Sequence, residues 1–169
     1  YYMRLKDEIH FNPVTFENIN LDPTRRYGLE LSGNYDISDR LRLQGSYTYM
    51  RSKFREGPFS GKNVPLVPEN TASLAGTWKQ SPATNLTVAA NFVDNKYFDN
   101  DQSNSFEKKI PSYTTVDAKI SHRYRGLRLT AEVNNIFEEN FYDYRVRSTF
   151  LPRASNAEPP PESTQPLTF

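Results

Sequence analysis

The sequence predicts an all-β protein, an antiparallel up-and-down sheet of the kind that crosses a membrane as part of a β-barrel. Three observations carry that expectation. Segment after segment alternates apolar and polar residues with a period of two, which is the side-chain period of a strand. The connections between segments alternate long and short, the asymmetry of a barrel with loops at one end and tight turns at the other. Aromatic residues, with Tyr and Phe at 11 each against one Trp, collect near the segment ends. Amphipathic rings prefer that headgroup level.

The clearest segment is Gly126 to Tyr144, GLRLTAEVNNIFEENFYDY. Leu127, Leu129, Ala131 and Val133 share one face; Arg128, Thr130, Glu132 and Asn134 share the other. The remaining segments repeat this design in chain order. A first strand sets Tyr1, Met3, Leu5, Ile9 and Phe11 against Tyr2, Arg4, Lys6, Glu8 and His10, with Asp7 as the exception on the apolar face. Asn12 to Thr24 reads as a loop, because Asn-Pro and Asp-Pro initiate turns. Arg25 to Tyr35 places Tyr27, Leu29, Leu31, Gly33 and Tyr35 together, and residues 36–39 read as a tight turn. Arg40 to Arg51 places Leu41, Leu43, Gly45, Tyr47 and Tyr49 outward. Ser52 to Asn70, broken by Gly57, Pro58, Gly61, Pro65 and Pro68, reads as a long loop.

Thr71 to Lys79 carries Ala72, Leu74, Gly76 and Trp78 on one face. Asn85 to Asp94 carries Leu86, Val88, Ala90 and Phe92, after a short turn around Ser81-Pro82. Asn95 to Pro111 is a second long polar loop. Ser112 to Arg123 sets Val116, Ala118, Ile120 and His122 against Asp117, Lys119 and Ser121. A short turn at Tyr124-Arg125-Gly126 follows, with Gly126 suited to positive φ. Tyr27, Tyr47, Tyr49, Phe92, Tyr113 and Tyr142 are expected towards the loop end, and Tyr1, Tyr35, Trp78 and Tyr124 towards the turn end. The chain therefore divides into barrel strands over 1–144 and a Pro-rich remainder over 145–169. In the remainder Pro159-Pro160-Pro161 cannot be strand interior. The alternatives there are a weak closing strand or a disordered tail.

The bulk numbers agree. Hydrophobic residues make up 36% of the 169, and mean hydropathy is -0.77, low for a soluble core but suited to a wall with one wet face. A net charge of +1 gives no electrostatic case for nucleic acid. With no Cys there is neither a disulfide nor a thiolate metal site. The chain opens inside a strand pattern without Met, which reads as a piece of a longer chain.

Energetics decide which face meets lipid. Arg4, Lys6, Glu8, Glu30, Arg42, Asp117, Lys119, Arg128 and Glu132 are expected to face the lumen, because a Lys or Arg at mid-membrane costs about 2–4 kcal/mol. Lys119 and Glu132 are expected to pair across neighbouring strands. Catalysis is not expected. His10 and His122 are the only histidines, and neither has a carboxylate or serine at useful sequence spacing. The run Asp99-Asn100-Asp101-Gln102-Ser103 opens like a calcium loop. It fails at Asn104, where glycine is needed, and at Ile110, where a bidentate Glu belongs. No metal site or cofactor follows. Ligand contact falls to the loops, on Arg51, Lys53, Arg55, Tyr97, Phe98, Tyr142 and Arg145, whose cations and rings suit an anionic or aromatic metal chelate.

Three stretches resemble one family. ENINLDPTRRYGLEL (Glu17 to Leu31) leads a loop into a strand through Arg26, Gly28, Leu29 and Glu30. GKNVPLVPENTASLAGTW (Gly61 to Trp78) approaches a strand through paired prolines. PSYTTVDAKISHRYRGLRLTAEVNNIFEENFYDY (Pro111 to Tyr144) sets Asn135-Ile136-Phe137 where the family has Asn-Leu-Phe. Together they resemble the C-terminal part of the β-barrel of TonB-dependent outer-membrane receptors. The resemblance implies a location in the bacterial outer membrane and a barrel of about 22 strands, of which this chain supplies roughly eight. It also implies an N-terminal plug that engages TonB and uptake of a small metal chelate such as a siderophore, haem or cobalamin. Residues 145–169 depart from the family's ending, with only Phe169 in the place of the terminal aromatic. The alternative readings are a stand-alone eight-stranded outer-membrane barrel with a structural or adhesive role, and an outer-membrane hydrolase.

Overall fold

A computed structural model describes residues 1–147. Among them are β1 (Tyr2–Leu5), β2 (Ile9–Asn12), β3 (Glu17–Asn20), β4 (Thr24–Ser38), β5 (Leu41–Phe54), β6 (Asn70–Lys79), β7 (Thr84–Val93), β8 (Tyr113–Tyr124) and β9 (Leu127–Val133). One antiparallel sheet runs in the order β1-β4-β5-β6-β7-β8-β9, and β2 pairs only with β3. From β4 onward each strand lies beside its sequence neighbour, the up-and-down meander expected. Among the described residues β1 and β9 do not pair, so the sheet does not close on itself. The closing strand expected within 145–169 falls after residue 147, outside the described residues.

The turn end is built from local chemistry. The Ser38 hydroxyl accepts the N–H groups of Arg40 and Leu41 at 3.3 and 3.1 Å, so the reversal occupies Asp39-Arg40 alone. β4 consequently runs on to Ser38, past the expected end at Tyr35, with an irregularity in register between Asp36 and Ser38. The Ser81 hydroxyl caps the next turn in the same way, accepting from Ala83 and Thr84. Between β8 and β9, Arg125 and Gly126 take φ of 45° and 86°, a two-residue reversal whose twist matches the flanking strands.

Directly opposed residues share a face, so register settles what each face contains. Leu29–Tyr49, Leu31–Tyr47, Leu43–Gly76, Leu74–Ala90, Val88–Ala118 and Ile120–Ala131 make a continuous apolar face across β4 to β9. The opposite face is polar. Ser46 and Ser73 hydroxyls meet at 2.8 Å, Thr77 and Thr87 at 3.1 Å, and Arg42 grips Asp36 through two bonds of 2.6 and 3.0 Å. Lys119 Nζ lies 3.2 Å from Glu132 Oε2, the expected cross-strand pair.

The first strand departs from expectation. Asp7 takes φ of 57° and divides it, so β1 joins the sheet while β2 leaves it to form a hairpin with β3. Asn12 to Thr24 is thus not wholly loop. The Asn12 side chain accepts from the backbone of Val14 and Thr15 and turns the chain back into β3. The faces of β1 are also reversed. Tyr2 opposes Tyr27 and Arg4 opposes Arg25, which puts Arg4 on the face of Leu29 and Leu31. The expectation that Arg4 joins the polar face is overturned by this register. Met3 and Leu5 oppose Arg26 and Thr24 and lie on the polar side instead. Tyr1 bonds the backbone of Gly28, near the loop end and not the turn end. After the kink at Asp7 the parity resets, so Glu8 reaches the polar face and pairs with Arg26.

The fully buried apolar side chains among the described residues are Phe54, Val64 and Ile110, all at the loop end. Mid-sheet aliphatics remain open, with Leu31 at 55% and Leu74 at 56% exposure. A sheet that leaves its leucines bare on one face needs hydrocarbon there. Leu31→Lys, at the middle of β4, should destabilise the folded protein in phospholipid by about 2–4 kcal/mol, whereas Ser32→Lys should cost less than about 1 kcal/mol. Urea unfolding of both variants in bilayers checks this; equal losses would mean that the two faces meet the same solvent.

Candidate functional site

At the loop end the connections are not solvated strings. The segment after β5 folds back along its own strand. Phe54 N–H bonds Lys62 O at 3.0 Å, Val64 N–H bonds Ser52 O at 3.0 Å, and Met50 N–H bonds Glu69 O at 2.9 Å. The segment after β7 is closed at its base by the backbone pair of Lys96 and Ile110, at 3.1 and 2.8 Å. It joins the first segment through Asn104, whose amide oxygen accepts Asn63 N–H at 2.7 Å. The segment after β9 completes the set. It begins at Asn135, where φ is 50° and the side chain accepts Glu139 N–H at 3.0 Å and donates to Glu139 O at 3.0 Å. Its own N–H donates to Asp117 at 2.8 Å. The Asn-Ile-Phe motif is thereby a reversal that frees the chain from β9 and carries it back to the loop end.

Two aspartates hold the assembly together, each almost wholly buried. Asp101 accepts the N–H groups of Ser105 and Phe106 at 2.7 and 3.2 Å, so the residue that resembled a calcium ligand spends its carboxylate on its own loop. Asp99 accepts Tyr144 OH at 2.9 Å and faces His10 Nε2 at 3.4 Å. Burial, then the neighbouring Asp99 carboxylate, raises the Tyr144 phenol above its ordinary range. Among the described residues no three or more His, Asp or Glu side chains converge as a metal site would need. His10 does find a carboxylate, that of Asp99, through the fold and not through local spacing. His122 sits on the apolar face, with Nδ1 2.8 Å from the Thr84 hydroxyl.

The ligand-contact candidates separate into two groups. Phe98, Tyr142 and Arg145 come together, with the Arg145 guanidinium 5.8 Å from the Phe98 ring and 5.0 Å from the Tyr142 ring. Arg147 lies 5.0 Å over Phe106, which itself packs 6.0 Å from Phe98. Sequence reading missed Phe106 and Arg147; their polar, loop-like context gave no signal. Tyr97 carries the Lys109 ammonium 4.2 Å over its ring. Both line a cleft of about 160 Å³ with Met50, Ser52, Asn63 and Glu69, on the polar-face side. Ser52 Oγ and Asn63 Oδ1 are buried there without a hydrogen-bond partner among the described residues. A second cleft, of about 190 Å³, lies between Glu8, His10 and Arg26 and the 64–67 and 99–102 stretches. Arg51 and Lys53 belong elsewhere. They oppose Tyr27 and Arg25, on the face that carries Leu29.

Of the wall charges, Glu30 opposes Thr48, Asp117 opposes Ala89, and Arg128 opposes Arg123, all on the polar face with Arg42, Lys119 and Glu132. Lys6 falls between β1 and the kink, outside any strand.

Residues 1–136 match the family model described as TonB dependent receptor-like, beta-barrel. The chain belongs to that family. Among curated relatives, the probable TonB-dependent siderophore receptor PiuA of Acinetobacter baumannii is 25% identical over 160 residues, which cover 86% of this chain and 21% of the relative. The ferrioxamine receptor of Yersinia enterocolitica is 29% identical over 68% of this chain and 17% of its own. Among solved structures, that of the ferric yersiniabactin uptake receptor FyuA from Yersinia pestis superposes with a TM-score of 0.68 at 20% identity. The match covers 88% of this chain and 23% of that one. The chain thus spans about a fifth of the length of the curated relatives it matches. The sheet is therefore part of the wall of an outer-membrane receptor barrel, its apolar face in lipid.

The tie from Lys96 to Asp143 gives the receptor's loops a pH dependence. Asp143 accepts Tyr113 OH at 2.7 Å and Lys96 Nζ at 3.1 Å. The hydrogen bond from Tyr113, then that from Lys96, holds its carboxyl below the ordinary range. A depressed native pKa gives stabilisation that is complete above the ordinary aspartate value of about 3.9 and is lost as pH falls through the native value. Hydrogen exchange in 95–111, corrected for intrinsic rates, should therefore quicken as pH falls below about 4, and Asp143→Asn should flatten that response. In the same experiment Asp101→Ala should deprotect 103–106 by about 1–3 kcal/mol. Unchanged protection in either variant would show that these bonds do not hold the loop.

Proposed function

We propose that this chain is the C-terminal barrel portion of a receptor that takes up a metal chelate across the outer membrane, with the loop end outside the cell and the tight turns in the periplasm. The observation that carries the reading is the mouth of the polar face. Loops pack there into a fixed assembly that presents Arg145, Phe98 and Tyr142 on one side and a polar cleft with Tyr97 and Lys109 on the other. A cation stacked on rings offers charge and a flat apolar surface together, which suits an anionic or aromatic chelate. The unpartnered Ser52 Oγ and Asn63 Oδ1 add hydrogen-bonding capacity in the cleft. The naming of relatives as siderophore and ferrioxamine receptors supports siderophore-type chelates as the first cargoes to test.

Among the described residues β1 and β9 each leave an edge of the sheet unpaired, which supports the same reading over a stand-alone barrel. Unpaired backbone groups are not tolerated in hydrocarbon, so β1 and β9 call for neighbouring strands from the rest of a larger barrel. A plug within that barrel would draw energy from the inner membrane through TonB, and the polar-face charges Glu30, Arg42, Asp117, Lys119, Arg128 and Glu132 would line its lumen. A hydrolase has less support. His10 and Asp99 form a pair, yet no hydroxyl is hydrogen-bonded to the His10 ring among the described residues.

Two measurements test this. On intact cells, a membrane-impermeant maleimide should label Lys108→Cys, in the loop, and leave Gln80→Cys, in a turn, unlabelled; the reverse result would invert the orientation. In the full-length receptor, titration with ferrioxamine B, ferric citrate and ferric yersiniabactin should find a chelate that binds. Arg145→Ala or Phe98→Ala should then weaken it roughly 5- to 30-fold. Full retention of affinity in both variants would remove the cluster from the binding site.

A further inference from the structure

The reversed faces of β1 leave three cations in one row. Arg4 opposes Arg25, and Arg25 opposes Lys53, so adjacent strands present like charges side by side on the apolar face. One rung towards the membrane come Tyr2, Tyr27 and Arg51 in register. Beyond them follow Leu29 with Tyr49 and Leu31 with Tyr47. The Arg4 guanidinium donates to Tyr2 OH at 3.0 Å and lies 5.5 Å from the ring centroid. Arg55 adds its charge to the field around the same Tyr2 phenol.

Like charges directly opposed across a ladder destabilise it. On the polar face Arg42 is matched by Asp36 and Lys119 by Glu132, and one like-charged pair, Arg123 with Arg128, stands opposed across β8 and β9. The outward row has no such match. Glu69 and Glu56 touch Arg51 and Arg55 at the flanks, at 3.8 and 3.5 Å. Among the described residues no carboxylate comes within ion-pair reach of Arg4, Arg25 or Lys53. A row of this kind offers concentrated positive charge to an anion.

Its position identifies the source. Along β4 the tyrosine level begins at Tyr27 and the aliphatic band at Leu29. The row at residue 25 therefore lies about 7 Å further along the tilted strand than the Tyr27 ring, at the outer side of the headgroup level. It faces lipid and not the lumen, so it cannot be reached by a chelate in the mouth. We propose that Arg4, Arg25 and Lys53, flanked by Arg51 and Arg55, bind the phosphate of a phosphorylated lipid headgroup in the outer leaflet. Arginine forks and an ammonium in a row match phosphate oxygens at several points. Arg51, Lys53 and Arg55 thereby anchor the barrel in lipid and do not contact the transported ligand. The proposal rests on the loop end facing outward; labelling of Lys108→Cys tests that separately, and lipid binding is measured here without any chelate.

Native mass spectrometry of the full-length receptor in detergent, titrated with bisphosphorylated lipid A, tests the site. The unaltered receptor should retain the lipid. The variant with Arg4→Gln, Arg25→Gln and Lys53→Gln should bind it roughly tenfold or more weakly. Arg4→Lys with Arg25→Lys, which keeps the charge, should stay within about threefold. Arg25→Gln alone removes the middle of the row and should weaken binding several-fold, should the triple variant fail to fold. Inorganic phosphate at equal concentration should not displace the lipid, and zwitterionic phosphatidylethanolamine should not replace it. Retention by the glutamine variants overturns the site. Displacement by phosphate makes it a free-anion site, and equal binding of phosphatidylethanolamine removes the charge selection; either result also overturns the proposal.

Discussion

Hydrocarbon cannot hydrogen-bond a backbone, and this wall is arranged around that fact. Every strand from β4 to β8 has a neighbour on both sides, although among the described residues β1 covers β4 only from Thr24 to Tyr27 and β9 covers β8 only from Ala118 to Tyr124. With backbone groups satisfied inside the sheet, the outward side chains are free to be apolar and open. Leu29, Leu31, Leu74 and Leu129 are more than half exposed, values that would be a liability in water. The sheet therefore has no core between its faces. Its packed apolar residues, Phe54, Val64 and Ile110, lie above the membrane, where loops must hold themselves together in water. Lipid replaces a core for the strands, and local packing supplies one for the mouth.

The same constraint explains what could be read in advance. Where both faces are fixed by solvent, the period of two is strict, and β4 to β9 follow their sequences closely. β1 escaped because hydropathy alone admits both faces there. Tyr1, Met3 and Leu5 look like an outward set, yet Tyr2 beside Tyr27 gives an outward aromatic pair just as well. The choice is made by the positive φ of Asp7, a backbone property with no hydropathy signature. β3 escaped for another reason. Glu17 to Asn20 stands clear of the membrane sheet and carries almost no apolar residue to reveal an alternation. At the mouth the decisive bonds join residues far apart in sequence. Asp99 with Tyr144 and Lys96 with Asp143 leave no local trace, so acids that looked merely solvated proved to be joints, Asp99 buried and Asp143 exposed but bonded to the buried Lys96.

Charge is handled differently on the two faces. On the polar face it is mostly settled within the sheet, by Arg42 with Asp36, Lys119 with Glu132 and Arg26 with Glu8, together with hydroxyl pairs. Pairs of this kind hold a wet wall in shape. The mouth is less self-contained. Among the described residues Arg145 and Arg147 lean on rings and not on carboxylates, and a cation held by a π face keeps its N–H groups available. The chemistry open to a ligand is thus concentrated where the loops converge.

A single strand shows how finely these environments are divided. Along β5, Met50, Ser52 and Phe54 turn to the mouth, and Phe54 is buried beneath the returning loop. Between them Arg51 and Lys53 turn to the outer surface, opposite Tyr27 and Arg25. Five consecutive residues meet two solvents in alternation. A cation one position along would be placed among loop carbonyls and not among headgroups. Composition cannot make that distinction, because Arg51, Lys53 and Arg55 look as suited to an anionic chelate as Arg145 does. Register makes it, since the residue across the ladder declares which side of the wall each one occupies. In a barrel wall the role of a charged residue therefore follows from its neighbour in the next strand more than from its own chemistry.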